Sequence, residues 1–323
     1  MTNGQSLITP IPIGKPTFLD APRCEDLSTL EADVAIIGVA YGYPYDMANS
    51  TSPSATAPAA MREQSMRWPR FLSHYDYDFG GEIFAGRNVR VVDCGDVTMT
   101  PGDFAGNSAN STAAIRAIID RGAVPIVLGG DHSIPIPVMR AYEGAGLGSM
   151  CVVQIDQHLD WREERNGVTQ GLSSPMRRAS ELECVTSMAQ VGLHAVGSAR
   201  QGEVDDATAW GSVQILARDV HAHGIEAALA RIPQADNYYI TIDADGLDAT
   251  LAPAVLTPGL GGLTYYEAFD LLRGLAQRGR IVGCDMVEIV PTLDIGNITS
   301  HVCARLLFNL IGAMAHSGQI GNS

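Results

Sequence analysis

Three short clusters in this chain combine carboxylates with imidazoles: Gly129-Gly130-Asp131-His132-Ser133, Asp156-Gln157-His158-Leu159-Asp160 and Asp243-Ala244-Asp245-Gly246-Leu247-Asp248. Each follows a short apolar run of strand-like character. In an extended chain residues two apart share a face, so Asp156, His158 and Asp160 can converge, as can Asp243 and Asp245. With His132 they offer two imidazoles and four carboxylates. Burying four carboxylates together is costly, and their like charges push protons back onto some of them. A pair of divalent cations removes that cost. The nitrogen and oxygen donors, without thiolate, suit Mn²⁺, Ni²⁺ or Fe²⁺ better than a sulfur-liganded structural zinc. Two such ions about 3.5–4 Å apart can share a water and make it a hydroxide near neutral pH. Any one cluster alone also fits an Asp that caps a helix or closes a turn. Three in chain order, each at a strand exit, point to a metal centre.

The elements that must carry these clusters are legible from the apolar pattern. Strand-like runs lie at 33–39, 89–93, 124–128, 151–155, 188–193, 213–216, 238–242 and 280–284, with amphipathic stretches at 108–121, 134–143, 219–231, 265–278 and 300–313. Near-continuous apolar strands separated by helices predict a parallel sheet covered on both faces. The expected fold class is α/β, a single three-layer α/β/α domain with a mostly parallel sheet of about eight strands. In such sheets chemistry collects at the carboxyl ends of the strands, where all three clusters fall. Residues 1–32, proline-bearing and without periodicity, read as an N-terminal arm on the body or on a neighbouring subunit, and 33–323 as the catalytic domain.

Composition narrows the function classes. Among 323 residues, 46% are hydrophobic and 18% charged, which fits a large folded core. The formal charge of −15 argues against nucleic acid and is compatible with a cationic substrate. No basic start followed by an apolar segment marks a signal peptide, and no apolar run approaches the roughly 20 residues that span a bilayer. The expected location is the cytoplasm, without membrane contact. The six cysteines are scattered, and Cys151 and Cys284 sit in strand contexts where a thiol packs as a small hydrophobe.

The clusters read as GGDHS, DxHxD and TxDxDxxD, and in that order they resemble the ureohydrolase family of arginases, agmatinases and related guanidino hydrolases. The resemblance runs from about residue 33 to 313 and includes YGYPYD at 41–46, APAAMREQS at 57–65, GGLTYYEA at 261–268 and GCDMVEIVP at 283–291. It implies the arginase-like fold and two divalent metal ions per chain. By position it assigns His132, Asp156, Asp160 and Asp243 to one metal and Asp156, His158, Asp243 and Asp245 to the other. It also implies that Glu288 grips the guanidinium, that a hydroxide shared by the metals attacks the guanidinium carbon, and that Asp160 passes a proton to the leaving nitrogen. Urea, or a urea derivative, and an amine or ammonia would leave.

Three departures bear on the substrate. Gln157 stands where the family usually has Ala; alternation turns it away from the ligands, to fill space behind them and touch a neighbouring strand. The segment 252–258 reads APAVLTP, a version similar to the branch acting on guanidine and small guanidino or biguanide compounds, some of whose members use nickel. The loop 167–180 holds no His where arginases and agmatinases carry one; Leu172 or Ser173 lies nearest that place. These features favour a compact substrate, with Trp161 and Leu172 as apolar walls and His194 as a further pocket residue. For Trp161 core packing, and for His194 a hydrogen-bonded structural role, are the alternatives. His221 and His223 read as surface residues at a helix start. Agmatine or a guanidino acid is the competing substrate class. A weakly active subunit paired with an active paralogue, a one-zinc deacetylase and a non-enzymatic binder are the competing functions.

The resemblance further implies a homo-oligomer, trimer or hexamer, with the arm 1–30 and the apolar helix 300–313 as candidate contact surfaces. Light scattering at micromolar concentration should give the mass of a trimer or larger; a monodisperse monomer would contradict this.

Overall fold

All eight strand-like runs form strands in the computed structural model, which describes residues 6–45 and 52–322. Asp46, the last residue of YGYPYD, lies outside them. The strands are β2 Val34–Val39, β5 Val91–Val97, β6 Val124–Gly129, β7 Met150–Ile155, β8 Val185–Leu193, β9 Val213–Leu216, β10 Asn237–Asp243 and β11 Arg280–Val287. A two-residue strand β1, Ile8–Thr9, adds an antiparallel edge to β5. Among the described residues the sheet thus has nine strands in the order β1-β5-β2-β6-β11-β10-β7-β8-β9, all parallel except β1. A small hairpin, β3 Tyr75–Asp76 with β4 Gly81–Glu82, stands apart.

Alternation along each strand sends side chains into two cores. On β2, Val34 and Ile36 join one apolar cluster while Ala35, Ile37 and Val39 join the other. The first lies under helices α1 (Ala57–Ser65), α6 (Ala217–His223), α7 (Ile225–Arg231), α8 (Tyr265–Arg278) and α9 (Ile298–His316). The second lies under α2 (Phe104–Asp120), α3 (Pro135–Arg140) and part of α4 (Pro175–Ala179) and α5 (Gln201–Trp210). This is the three-layer α/β/α arrangement. The segment 219–231 is two helices, because Gly224 between them has φ +81°. Helix α5 escapes the periodicity reading since it buries only Ala207.

Helix α9 corrects the expectation of a contact surface at 300–313. Residues 303–304 and 306–315 are all buried in the chain's own core, so its apolar character serves internal packing. The stretch Ile295–His316 is long and apolar enough to cross a membrane by length and composition, yet 78% of its most apolar window is buried inside the protein. The arm lies along the body: Phe18, Leu19, Leu27 and Leu30 are buried, and Cys24 N donates to Asp93 O at 2.9 Å.

One buried ion pair ties these pieces together. Arg62 of α1 grips Asp93 of β5 through Nε–Oδ2 at 2.9 Å and Nη2–Oδ1 at 3.0 Å, and Nη1 reaches Asp96 at 2.6 Å. Asp93 also accepts from Phe18 N at 2.8 Å and Gly95 N at 3.0 Å. Every oxygen of Asp93 is therefore used at full burial, the condition under which a buried charge is tolerated. Removing the guanidinium leaves Asp93 uncompensated, so Arg62→Met should lower unfolding stability by about 3–5 kcal/mol. Urea unfolding followed by circular dichroism checks this; an unchanged midpoint would contradict it.

Candidate metal centre

Four neighbouring strands, β6-β11-β10-β7, end side by side and build the site. Register sets the levels: Leu128 pairs with Met286, Asp243 with Val287, and Ile242 with Ile155. The next residues along β6, β11, β10 and β7 therefore deliver His132, Glu288, Asp243 with Asp245, and Asp156 to Asp160 to one carboxyl edge. Gly246 permits this closeness: a Cβ there would lie 2.6 Å from the Asp156 backbone nitrogen.

The six residues expected as ligands come together. His132 Nδ1 lies 3.0 Å from Asp156 Oδ2, 2.9 Å from Asp160 Oδ2 and 3.0 Å from Asp243 Oδ2. His158 Nδ1 lies 3.4 Å from Asp156 Oδ1 and 3.2 Å from Asp245 Oδ2. Two overlapping donor groups result, His132–Asp156–Asp243 and Asp156–His158–Asp245, with Asp156 common to both. Adjacent donors around a cation in octahedral geometry at about 2.1 Å sit about 3.0 Å apart, which matches the first group. His132 Nδ1 is buried without a satisfied hydrogen bond, although three carboxylate oxygens surround it. Its other nitrogen, Nε2, meets Thr241 Oγ1 at 3.0 Å, and that hydroxyl donates to Asp285 Oδ1 at 2.6 Å. The hydroxyl can then only accept from Nε2–H, which leaves the Nδ1 lone pair aimed at the carboxylates. These residues fit divalent cations.

The surrounding groups hold these side chains in place. Asp156 Oδ2 accepts from Gln154 Nε2 at 2.6 Å, and Gln190 Nε2 donates to Gln154 Oε1 at 2.6 Å. Asp160 and Glu288 both have left-handed backbone, with φ +50° and +65°. Such geometry costs about 1–3 kcal/mol each and persists only where neighbours enforce it. Asp160 O accepts from Met176 N and Arg177 N at the start of α4, and Glu288 N donates to Gly130 O at 2.7 Å. Glu288 Oε1 also accepts from His132 N at 2.8 Å.

A cavity of about 320 Å³ opens over the cluster. Asp160 and Glu288 are at its lining with Trp161, Leu172, Ser173 and Leu256. Trp161 and Leu172 both line it, and Trp161 is also packed in the core against Trp210, the alternative open for it in the sequence. His194 does not line this cavity; Nδ1 faces Gly192 O at 2.6 Å and Nε2 is buried beside Gly259. The expected pocket role of His194 is therefore corrected: its ring is held behind the wall. His221 pairs with Glu267 at 2.9 Å, away from the cavity. Sequence reasoning missed Arg165, which lines the cavity and places its guanidinium 4.9 Å from the Tyr45 ring centroid. It also missed Arg162, held by Glu203 at 3.2 Å.

The electrostatics follow from crowding. Burial and the Asp156 charge push Asp160 up to about 6, and burial with Asp245 and Asp156 raises Asp243 well above the carboxylate range. Burial opposes ionisation of Asp156, but the adjacent imidazoles of His132 and His158 outweigh it and hold its pKa down. Burial likewise disfavours the charged His158, yet Asp156 and Asp245 raise it to about 12. Burial and Asp131 push Glu288 up to about 8.

The chain belongs to the arginase family, whose family model matches residues 32–312. It is a hydrolase acting on C–N bonds. It is 31% identical to a guanidinopropionase and 29% identical to a guanidinobutyrase, both from Pseudomonas aeruginosa. The first alignment covers 94% of this chain and 93% of the relative, the second 92% of each. A solved structure of a hypothetical agmatinase from Burkholderia thailandensis superposes with TM-score 0.80 at 25% identity, covering 95% of this chain and 92% of that one.

Without cations the cluster retains protons near neutral pH, because His132 and His158 beside the carboxylates and the crowded Asp243 are all raised. Cation binding must displace them, so affinity rises with pH. Calorimetric titration with Mn²⁺ should show proton release and an affinity gain of about tenfold or more between about pH 6 and pH 8. A pH-independent affinity would contradict this assignment.

Proposed function

We propose that the chain hydrolyses a guanidino-type C–N bond of a compact substrate, a small guanidine or biguanide, with two divalent cations, Mn²⁺ or Ni²⁺. His132, Asp156, Asp160 and Asp243 would hold one cation, and Asp156, His158, Asp243 and Asp245 the other. When bound, the cations supply a water acidic enough to attack at neutral pH. The chain's own groups do the rest. Glu288, with Oε1 engaged by the His132 N–H, has Oε2 left to pair with a guanidinium and turn its carbon toward the cluster. Asp160 lines the cavity, where it takes the proton of the attacking water and passes it to the leaving nitrogen. Water adds to the carbon, the C–N bond breaks, and urea or a urea derivative departs with the protonated amine.

The observation that carries this reading is the lining itself, which joins the carboxylates Asp160, Asp243, Asp245 and Glu288 to the apolar Trp161, Leu172 and Leu256 around one cavity. Trp161 is only 2% exposed, so its ring face is a fixed apolar wall against which a short substituent packs. One observation favours a second reading, an ω-guanidino acid. Arg165 lines the same cavity, and among the described residues no carboxylate lies within 4.0 Å of it. A substrate carboxylate would find its partner there. The relatives named guanidinopropionase and guanidinobutyrase support the same alternative.

A urea-release screen over guanidine, biguanides, guanidino acids, agmatine and arginine, run with Mn²⁺ and with Ni²⁺, decides between them. The compact guanidines and biguanides should give the highest kcat/KM, with Glu288→Gln harming every substrate. A guanidino acid ranking first, with its advantage lost in Arg165→Ala, would establish the second reading. In either case Asp156→Ala or Asp243→Ala should abolish turnover and bring metal content below two ions per chain. Wild-type turnover at full metal occupancy in those variants would overturn the site.

A further inference from the structure

Gln157 lies between two residues of the cluster, in a position where the family usually has Ala. Alternation turns its side chain away from Asp156 and His158, and the fold puts the exit of β10 on that side. Gln157 is 3% exposed. Its Nε2 donates to Asp245 Oδ2 at 3.1 Å and makes a short hydrogen bond to Thr257 O. Thr257 Oγ1 donates to the same Asp245 Oδ2 at 2.8 Å, and that oxygen lies 3.2 Å from His158 Nδ1. An amide suits this place because one N–H reaches a carboxylate while the other reaches a carbonyl. The third side is closed by Gly259. A Cβ there would lie 2.2 Å from Gln157 Oε1 and 2.6 Å from His194 Nε2. So the segment bearing Leu256 and Thr257, which line the cavity, closes down on Gln157 and Asp245 together.

We propose that Gln157 is a positioning residue that joins this cavity wall to the Asp245 carboxylate, so that retention of the second cation and the fit of substrate against Leu256 depend on one hydrogen-bonded joint. This rests on the reading of Asp245 as a ligand of the second cation. Two donors on Oδ2 fix the rotation of that carboxylate toward His158. The same two donors hold Thr257, and with it the wall, at a set distance from the cluster. An Ala at 157 would leave Oδ2 with one donor and Thr257 tied to the cluster only through its hydroxyl. The pocket would then widen at Leu256 as the cation site loosened.

The test uses the full-length, metal-free protein and Mn²⁺ alone. In Gln157→Ala, calorimetry should show the second Mn²⁺ weakened by about tenfold or more and the first changed by less than about threefold. At saturating Mn²⁺ the KM for the preferred guanidino substrate should rise by a larger factor than kcat falls. Thr257→Val, which removes the other donor to the same oxygen, should weaken the same second ion. Gly259→Ala should be less harmful in the Gln157→Ala background than alone. Equal weakening of both ions, accompanied by a fall in the melting temperature of the metal-free protein, would overturn the proposal in favour of a purely structural role. Unchanged affinity for both ions in Gln157→Ala and Thr257→Val would also overturn it. A wild-type chain that takes up only one Mn²⁺ would instead overturn the two-cation reading beneath it.

Discussion

The convergence of like charges on His132 is the constraint on which the rest of the structure depends. Three carboxylate oxygens within about 3 Å of one buried nitrogen are tolerable only with protons or cations among them. The parallel sheet makes this possible by setting four strand exits side by side, so that each contributes a side chain to the cluster or its cavity from rigid backbone. Thr241 and Asp285 fix the tautomer of His132, Gln154 supports Asp156, and Gln157 supports Asp245.

The price is distributed over the loops. Asp160 and Glu288 adopt left-handed backbone, and each is held by backbone hydrogen bonds to a neighbouring segment. Both line the cavity. Asp131 and Ser133 belong to the same economy of positions: Asp131 accepts from Gly42 N at 3.0 Å and Ser133 from Tyr43 N at 2.9 Å. That fixes the 41–45 segment beside the cavity, and Tyr45 OH there accepts from Ser173 N at 2.9 Å. The cavity wall is therefore assembled from three loops that are each pinned to the cluster or to one another.

The eight parallel strands were legible because strands buried on both faces read as unbroken apolar runs, and the six clustered residues because alternation fixes which side chains share a face. Other features depend on strand order, which periodicity does not carry. Alternation turns Gln157 away from His158 correctly, but only the β7–β10 pairing puts Asp245 on the other side of it. Arg165 sits in the charged run WREERN, which looks like solvated surface until the 41–45 segment brings Tyr45 beneath it. Helix α9 illustrates the opposite error: an apolar 19-residue helix reads equally as an interface or as core, and contacts with α1 and α8 make it core. His194 follows a strand as a pocket residue would, yet its ring nitrogen is taken by Gly192 O, two residues back.

Anomalous diffraction from crystals grown with Mn²⁺ tests the central claim most directly. The account predicts two strong peaks per chain, one against His132 Nδ1 and one against His158 Nδ1, both in contact with Asp156. A single peak, or two peaks that leave His132 Nδ1 without a cation, would contradict it.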